Sequence, residues 1–228
     1  MEPLTFDKRL ENVRAKSDAM ALFPRTMLVL TIMTATAAFG SYVSFDLVFS
    51  SWTQPVGLVI GLFVILAWAN YHSKNDQLFA VVPGMLFAFV LGLMIGPALA
   101  MYFERLGAQV MADAFLMTIG LTAVFGFIGS FVSLPYRKIE GILMAALFGL
   151  IIVAVVTIFT GMPSHEFNTI YSIVGLVIFI GFFMVDFWRL KQMAKHGMNG
   201  WGNATMMALD IFLDMANVFL FILALGDD

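Results

Sequence analysis

The sequence predicts an all-α, polytopic membrane protein with seven transmembrane helices, its N-terminus inside and its C-terminus outside. Three observations predict it. The 228 residues are 61% apolar and 12% charged, about half the charged share of an ordinary soluble domain. The apolar residues fall into seven runs, each near the ~20 residues that a helix needs to cross a bilayer. The Lys and Arg residues crowd onto alternate connections between those runs, the pattern that sets membrane orientation.

In order, residues 1–24 form a polar cytoplasmic tail carrying Lys8, Arg9, Arg14 and Lys16. No short apolar core follows these charges at once, so the tail does not read as a signal peptide. Phe6, Leu10 and Val13 recur at helical spacing, which fits either a short interfacial helix or a solvated end. Residues 25–228 read as one membrane domain, with no length left for a soluble one. Its spans are expected at 27–49, 55–71, 79–103, 111–134, 141–162, 169–188 and 205–225. Pro24 precedes the first span. The second is short. The third holds Gly92, Gly96 and Pro97, predicting a bend and a thin place where another helix comes close. Gly120, Gly126 and Gly129 predict tight packing of the fourth.

Placing the tail inside puts Lys8, Arg9, Arg14, Lys16, Arg25, Lys74, Arg137, Lys138, Arg189, Lys191 and Lys195 on the same side, leaving only Arg105 outside. The outer side then collects Asp46, Glu104, Asp113, Glu166, Asp227 and Asp228. A mouth of that sign draws cations, although exclusion of positive charge from translocated loops explains the same count. The net charge of −3 is uninformative beside this distribution, and no nucleic-acid partner is expected. With no Cys in the chain, disulfides, thiolate metal sites and a Cys nucleophile are excluded.

The last two spans carry the chemistry. Asp186 closes the sixth. Asp210, Asp214 and Asn217 stand four and seven residues apart on the seventh, so they share one face. A charge at mid-bilayer costs at least about 2.5–3.5 kcal/mol, and no span holds an interior Lys, Arg or His to offset it. The sixth span runs inward and the seventh outward, which brings Asp186, Asp210 and Asp214 to the cytoplasmic third. Asp186 then either lies in headgroup water beside Arg189 or meets a seventh-helix aspartate. Asp210 either snorkels or lines an inner mouth. Asn217 either lines the ion pathway or bonds a neighbouring helix. Two carboxylates left together share a proton or hold a hard cation such as Ca²⁺. Such a site makes cation passage sensitive to pH, closed when protonated and open when not.

At these residues the chain resembles the Bax inhibitor-1 family, also called the transmembrane Bax inhibitor motif family. The resemblance rests on ALDIFLDMANVFLFILAL at 208–225 and FFMVDFWRLK around Asp186. LTAVFGFIGSF, RKIEGILMAALFGLII and LGLMIGPAL support it in the fourth, fifth and third spans. It implies a seven-helix bundle with the last helix at its centre. It implies a pH-sensitive Ca²⁺ leak gated by Asp186 and Asp214, which are also the residues expected to meet the metal ion. In eukaryotic relatives it implies protection from cell death, and in some bacterial ones an interaction with a membrane-bound protease. One feature departs from the family. Some bacterial members latch the aspartates with a second-helix Arg, whereas PVGLVIGLFVILAWANY has none. Arg189, His72 and Lys74 are the candidates to replace it.

The expected function is therefore a cation leak, with Ca²⁺ as the transported ion, the lipid bilayer as its setting and no resident cofactor. The alternative is an interaction protein that modulates a membrane protease or another membrane complex. Proton-coupled transport fits the aspartates too, but no inverted repeat is evident. No Lys on the seventh span can form a Schiff base to retinal. No His within a span can serve as a base, so no enzyme is expected. The compact chain suggests a bacterial inner membrane.

Overall fold

A computed structural model describes residues 6–47, 53–75, 79–132, 135–161 and 164–227; for 6–21, 53, 75, 137 and 158 it describes the backbone alone. The described residues form six α-helices and no strand: α1 (Phe6–Val43), α2 (Thr53–Asn75), α3 (Val81–Phe131), α4 (Tyr136–Thr160), α5 (His165–Lys195) and α6 (Trp201–Gly226). All six contain a stretch long and apolar enough to cross a membrane. This is a multi-pass membrane protein. Helices are the natural outcome, because in lipid every backbone polar group must be met within its own segment. Side-chain hydroxyls obey the same demand: Thr31, Thr34 and Thr36 of α1 and Thr118 and Thr122 of α3 each donate to the carbonyl four residues back.

The third and fourth predicted spans fall on one element. At 51 residues, α3 would measure about 77 Å if straight, against a hydrocarbon core of about 30 Å. It is interrupted at Gly107, whose φ of 80° and ψ of 169° lie outside the helical region. A positive φ of this kind is readily open only to glycine. The arms on either side, 81–106 and 108–131, are each of span length. The bend expected at Pro97 is not where the helical dihedrals fail; that point is Gly107. Likewise Pro24 does not precede a helix but lies inside α1, which is already helical at Phe6. The tail face expected at Phe6, Leu10 and Val13, the span ends at Phe49, Leu134 and Met162, and Asp228 lie outside the described residues or side chains.

The chain divides into two compact units. One comprises Met1–Pro97 with Arg189–Asp210, the other Ala98–Trp188 with Ile211–Asp228. In the first, α1 and the opening arm of α3 meet through small residues. A Cβ on Gly92 would stand 3.0 Å from Ala37 Cα, and one on Gly96 2.7 Å from the Ser41 carbonyl oxygen. The approach predicted at these glycines is therefore present, and α1 is the partner. A smaller core of Leu22, Leu190, Ala204 and Met207 lies in this unit as well.

In the second unit the core is Leu150, Ile178, Phe179, Phe182, Phe183 and Val218, drawn from α4, α5 and α6. Gly126 and Gly129 of α3 let α5 come close: a Cβ on Gly126 would stand 2.8 Å from the Phe187 ring, and one on Gly129 2.6 Å from Met184 Cα. Gly120 faces open space, so the tight packing expected there does not occur. Every residue of α6 before Gly226 is buried or half-buried.

Candidate functional site

α5 and α6 run antiparallel in the second unit, and their register follows from their aromatic contacts. The Phe179 and Phe221 rings have centroids 6.0 Å apart. Phe221 also lies over Gly175, where an added Cβ would come within 2.7 Å of its Cε1. Glycine at 175 makes room for the ring and so fixes where along α5 the two helices meet. Seven residues along a helix are two turns on nearly one face. One heptad onward from Phe179 is Asp186, and one heptad back from Phe221 is Asp214. Phe221 lies over Gly175, between Tyr171 at 5.8 Å and Phe179 at 6.0 Å, so both aspartates lie on the faces of α5 and α6 that meet there, with Asp186 about one turn beyond the level of Asp214.

Both are buried, Asp186 at 5% exposure and Asp214 at 7%. Their neighbours along the helix are apolar. Val185 and Phe187 flank Asp186 and are themselves buried, as are Phe212 and Val218 within one turn of Asp214. The side of α5 carrying Met184 and Phe187 is covered by the glycine positions of α3 described above. Oδ2 of Asp214 is sealed from solvent.

Asp210 and Arg189 belong to the other unit and behave differently. Arg189 Nη1 lies 3.4 Å from Asp210 Oδ2, with both side chains about a third exposed. That is longer than a well-formed charge-assisted hydrogen bond. Arg189, one of the three candidates for a latch, therefore reaches Asp210. His72, another, is held among aromatic rings, 5.8 Å from Trp68, 5.3 Å from Tyr71 and 5.5 Å from Phe79 by centroids. Lys74 is exposed at the end of α2.

Asn217 is half-buried, and its Nδ2 donates to the Leu213 carbonyl at 2.8 Å. The amide thus turns back on its own helix rather than bonding a neighbouring one. Among the described residues no group of three or more His, Asp or Glu gathers as a metal site. Two carboxylates offer four oxygens, whereas Ca²⁺ takes about six to eight. An ion meeting Asp186 and Asp214 would keep water or backbone oxygens among its ligands, which suits passage better than storage.

Two pairings were invisible to pattern reading. Arg105 Nη1 meets Asp227 Oδ2 at 2.8 Å, joining the region of the Gly107 break to the end of α6. Arg25 donates to the Asn199 carbonyl and lies over the Trp201 ring. Residues so far apart in sequence leave no periodic trace; the one available signal was a Trp opening a span, a residue type enriched at membrane interfaces.

An all-helical, multi-pass membrane protein with a buried aspartate on each of its last two helices is the class that this fold and site define. Residues 19–225 match the family model described as inhibitor of apoptosis-promoting Bax1, and the chain belongs to that family. It is similar to an uncharacterized protein of Chlamydia muridarum, 27% identical over 84% of this chain and 83% of the relative. It is equally similar to a Homo sapiens protein named Bax inhibitor 1, 27% identical over 84% of this chain and 80% of the relative. A Schizosaccharomyces pombe protein of the same name is 23% identical over 92% and 77%.

Proposed function

We propose that this protein is a pH-sensitive cation leak, with Ca²⁺ the ion carried and Asp186 and Asp214 acting together as gate and site. The observation that carries this reading is the burial of Asp186 and Asp214 on the faces of α5 and α6 that meet through Phe221. When the pair holds a proton between its carboxylates, α5 and α6 share a hydrogen bond across an apolar seam. When the proton leaves, two negative charges face each other in a low dielectric, where like charges repel strongly. The helices then part and the carboxylates meet a cation instead. Asp210, paired with Arg189 and partly exposed, lies one turn before Asp214 on α6, and Asn217 lies about one turn after it.

The accompanying topology is seven crossings, with the arms of α3 as separate spans joined at Gly107, the N-terminus inside and the C-terminus outside. The lysines and arginines support that orientation. Similarity to a Chlamydia protein supports a bacterial membrane, and we place the chain in an inner (plasma) membrane.

The test is Ca²⁺ entry into proteoliposomes between about pH 6 and about pH 8, the range a shared carboxyl proton can span. Flux should rise with pH in the wild type and become insensitive to pH in Asp214→Asn. Equal pH dependence in both would remove the reading.

A second reading, a regulator of a membrane protease, is favoured by one feature. α1 continues for residues 6–21 before its apolar stretch, about 24 Å of helix at 1.5 Å per residue. Removing that segment should abolish capture of the protease and leave flux unchanged.

A further inference from the structure

Arg25 lies within the apolar stretch Leu22–Val43 of α1, at the end where that stretch begins. Its guanidinium donates to the Asn199 carbonyl and stands 5.3 Å from the Trp201 ring centroid. Among the described residues no carboxylate pairs with it. A carbonyl and an indole face attract the cation but leave its charge in place.

The loop that receives Arg25 is rigidly built. α5 ends in a Schellman turn: Gly197 takes φ +72, and the N–H groups of Gly197 and Met198 return to the Ala194 and Met193 carbonyls. Beyond it, Ala204 N–H donates to the Gly200 carbonyl at 3.0 Å, and Asn203 Nδ2 donates to the Met198 carbonyl at 3.1 Å. Within this frame Asn199 is 8% exposed. Neither its Nδ2 nor its Oδ1 has a hydrogen-bond partner among the described residues. The hydroxyl of Thr26, next to Arg25, has none either, although Thr31, Thr34 and Thr36 all return to their own helix. Buried donors and acceptors are ordinarily matched. Here a donor and an acceptor accompany a cation that no carboxylate among the described residues neutralises, at the N-terminal end of α6, where the helix favours anions.

We propose that this corner binds a phosphate group, carried by an anionic phospholipid whose headgroup bears a hydroxyl. The guanidinium fork matches phosphate oxygens. Asn199 Nδ2 donates to another phosphate oxygen, and Oδ1 accepts from the headgroup hydroxyl. Phe23 and Leu28, exposed on α1 either side of Arg25, offer the acyl chains a surface. Lys195 and His196, exposed at the end of α5, extend the basic approach. Free phosphate has the same oxygens without the chains, so the experiment separates the two sources.

The full chain is unfolded thermally in uncharged detergent with added phosphatidylglycerol, phosphatidylcholine or inorganic phosphate. Wild type is compared with Arg25→Gln, Arg25→Lys and Asn199→Leu. Phosphatidylglycerol should raise the wild-type Tm more than phosphatidylcholine, whose choline adds a cation near Arg25 and lacks a donor for Oδ1. Arg25→Gln and Asn199→Leu should each bind phosphatidylglycerol at least about tenfold more weakly, with Arg25→Lys between. Asn199→Leu separates binding from folding, because an apolar side chain in place of an unmatched amide leaves the lipid-free Tm unchanged or higher. Should one variant fail to fold, the others decide. A rise with inorganic phosphate alone, lost in the same variants, supports the phosphate site and assigns it to the free ion. Equal rises with both lipids, or a phosphatidylglycerol rise that survives in the folded variants, overturns the proposal.

Discussion

Asp210 and Asp214 are one helical turn apart on α6, yet they are held in opposite ways. Asp210 is partly exposed and meets Arg189 across 3.4 Å. Asp214 is buried, with buried apolar residues before and after it on the helix, on the face of α6 that carries Phe221 to α5. A hydrated ion pair contributes about 1 kcal/mol or less. A buried carboxylate lacks that hydration, and its charge is costly unless it is paired. The difference separates a carboxylate held in a partly hydrated ion pair from one held away from water, which in the proposed reading is the one that answers to pH.

The largest expected effect breaks the enclosure of the deeper pair. Gly129→Leu would drive a side chain into the backbone at Met184. It should cost about 3 kcal/mol or prevent folding, whereas Gly120→Leu, facing open space, should change thermal stability in detergent by less than about 0.5 kcal/mol. If both leave Tm unchanged, α3 does not close over α5. Next in size is the carboxylate itself. Asp210→Asn should keep the rise of Ca²⁺ flux with pH that Asp214→Asn loses; if Asp210→Asn loses it too, the distinction between the two residues collapses. The same Asp210 variant should lose about 1 kcal/mol of stability or less, and the loss should shrink in high salt. Smallest is Arg105→Gln, which removes an exposed pair with Asp227 and should alter Tm little at physiological salt.

Much of this was legible in the sequence because lipid imposes simple rules. Apolar runs became helices, and two of the acids inside them, Asp186 and Asp214, proved to be buried. The glycines at 92, 96, 126 and 129 marked close approaches because they interrupt bulky runs. The boundary between the third and fourth spans was legible too, because the break at Gly107 falls in the interval 104–110 left between their apolar runs, although the helix reaches further into that interval from both sides. Glu104, Arg105, Ala108 and Gln109 are good helix formers, so the helix ends only at Gly107. The contacts of Arg25 and Arg105 depend on partners 174 and 122 residues away, a distance at which local pattern says nothing.

The central claim is that Asp186 and Asp214 act as one unit. The most direct measurement is the pH profile of Ca²⁺ flux in proteoliposomes for Asp186→Asn, Asp214→Asn and the double variant. Residues that share one proton give non-additive effects. The account predicts that either single variant loses the pH dependence as fully as the double one does. Two partial losses that add up in the double variant would show two independent aspartates and contradict it.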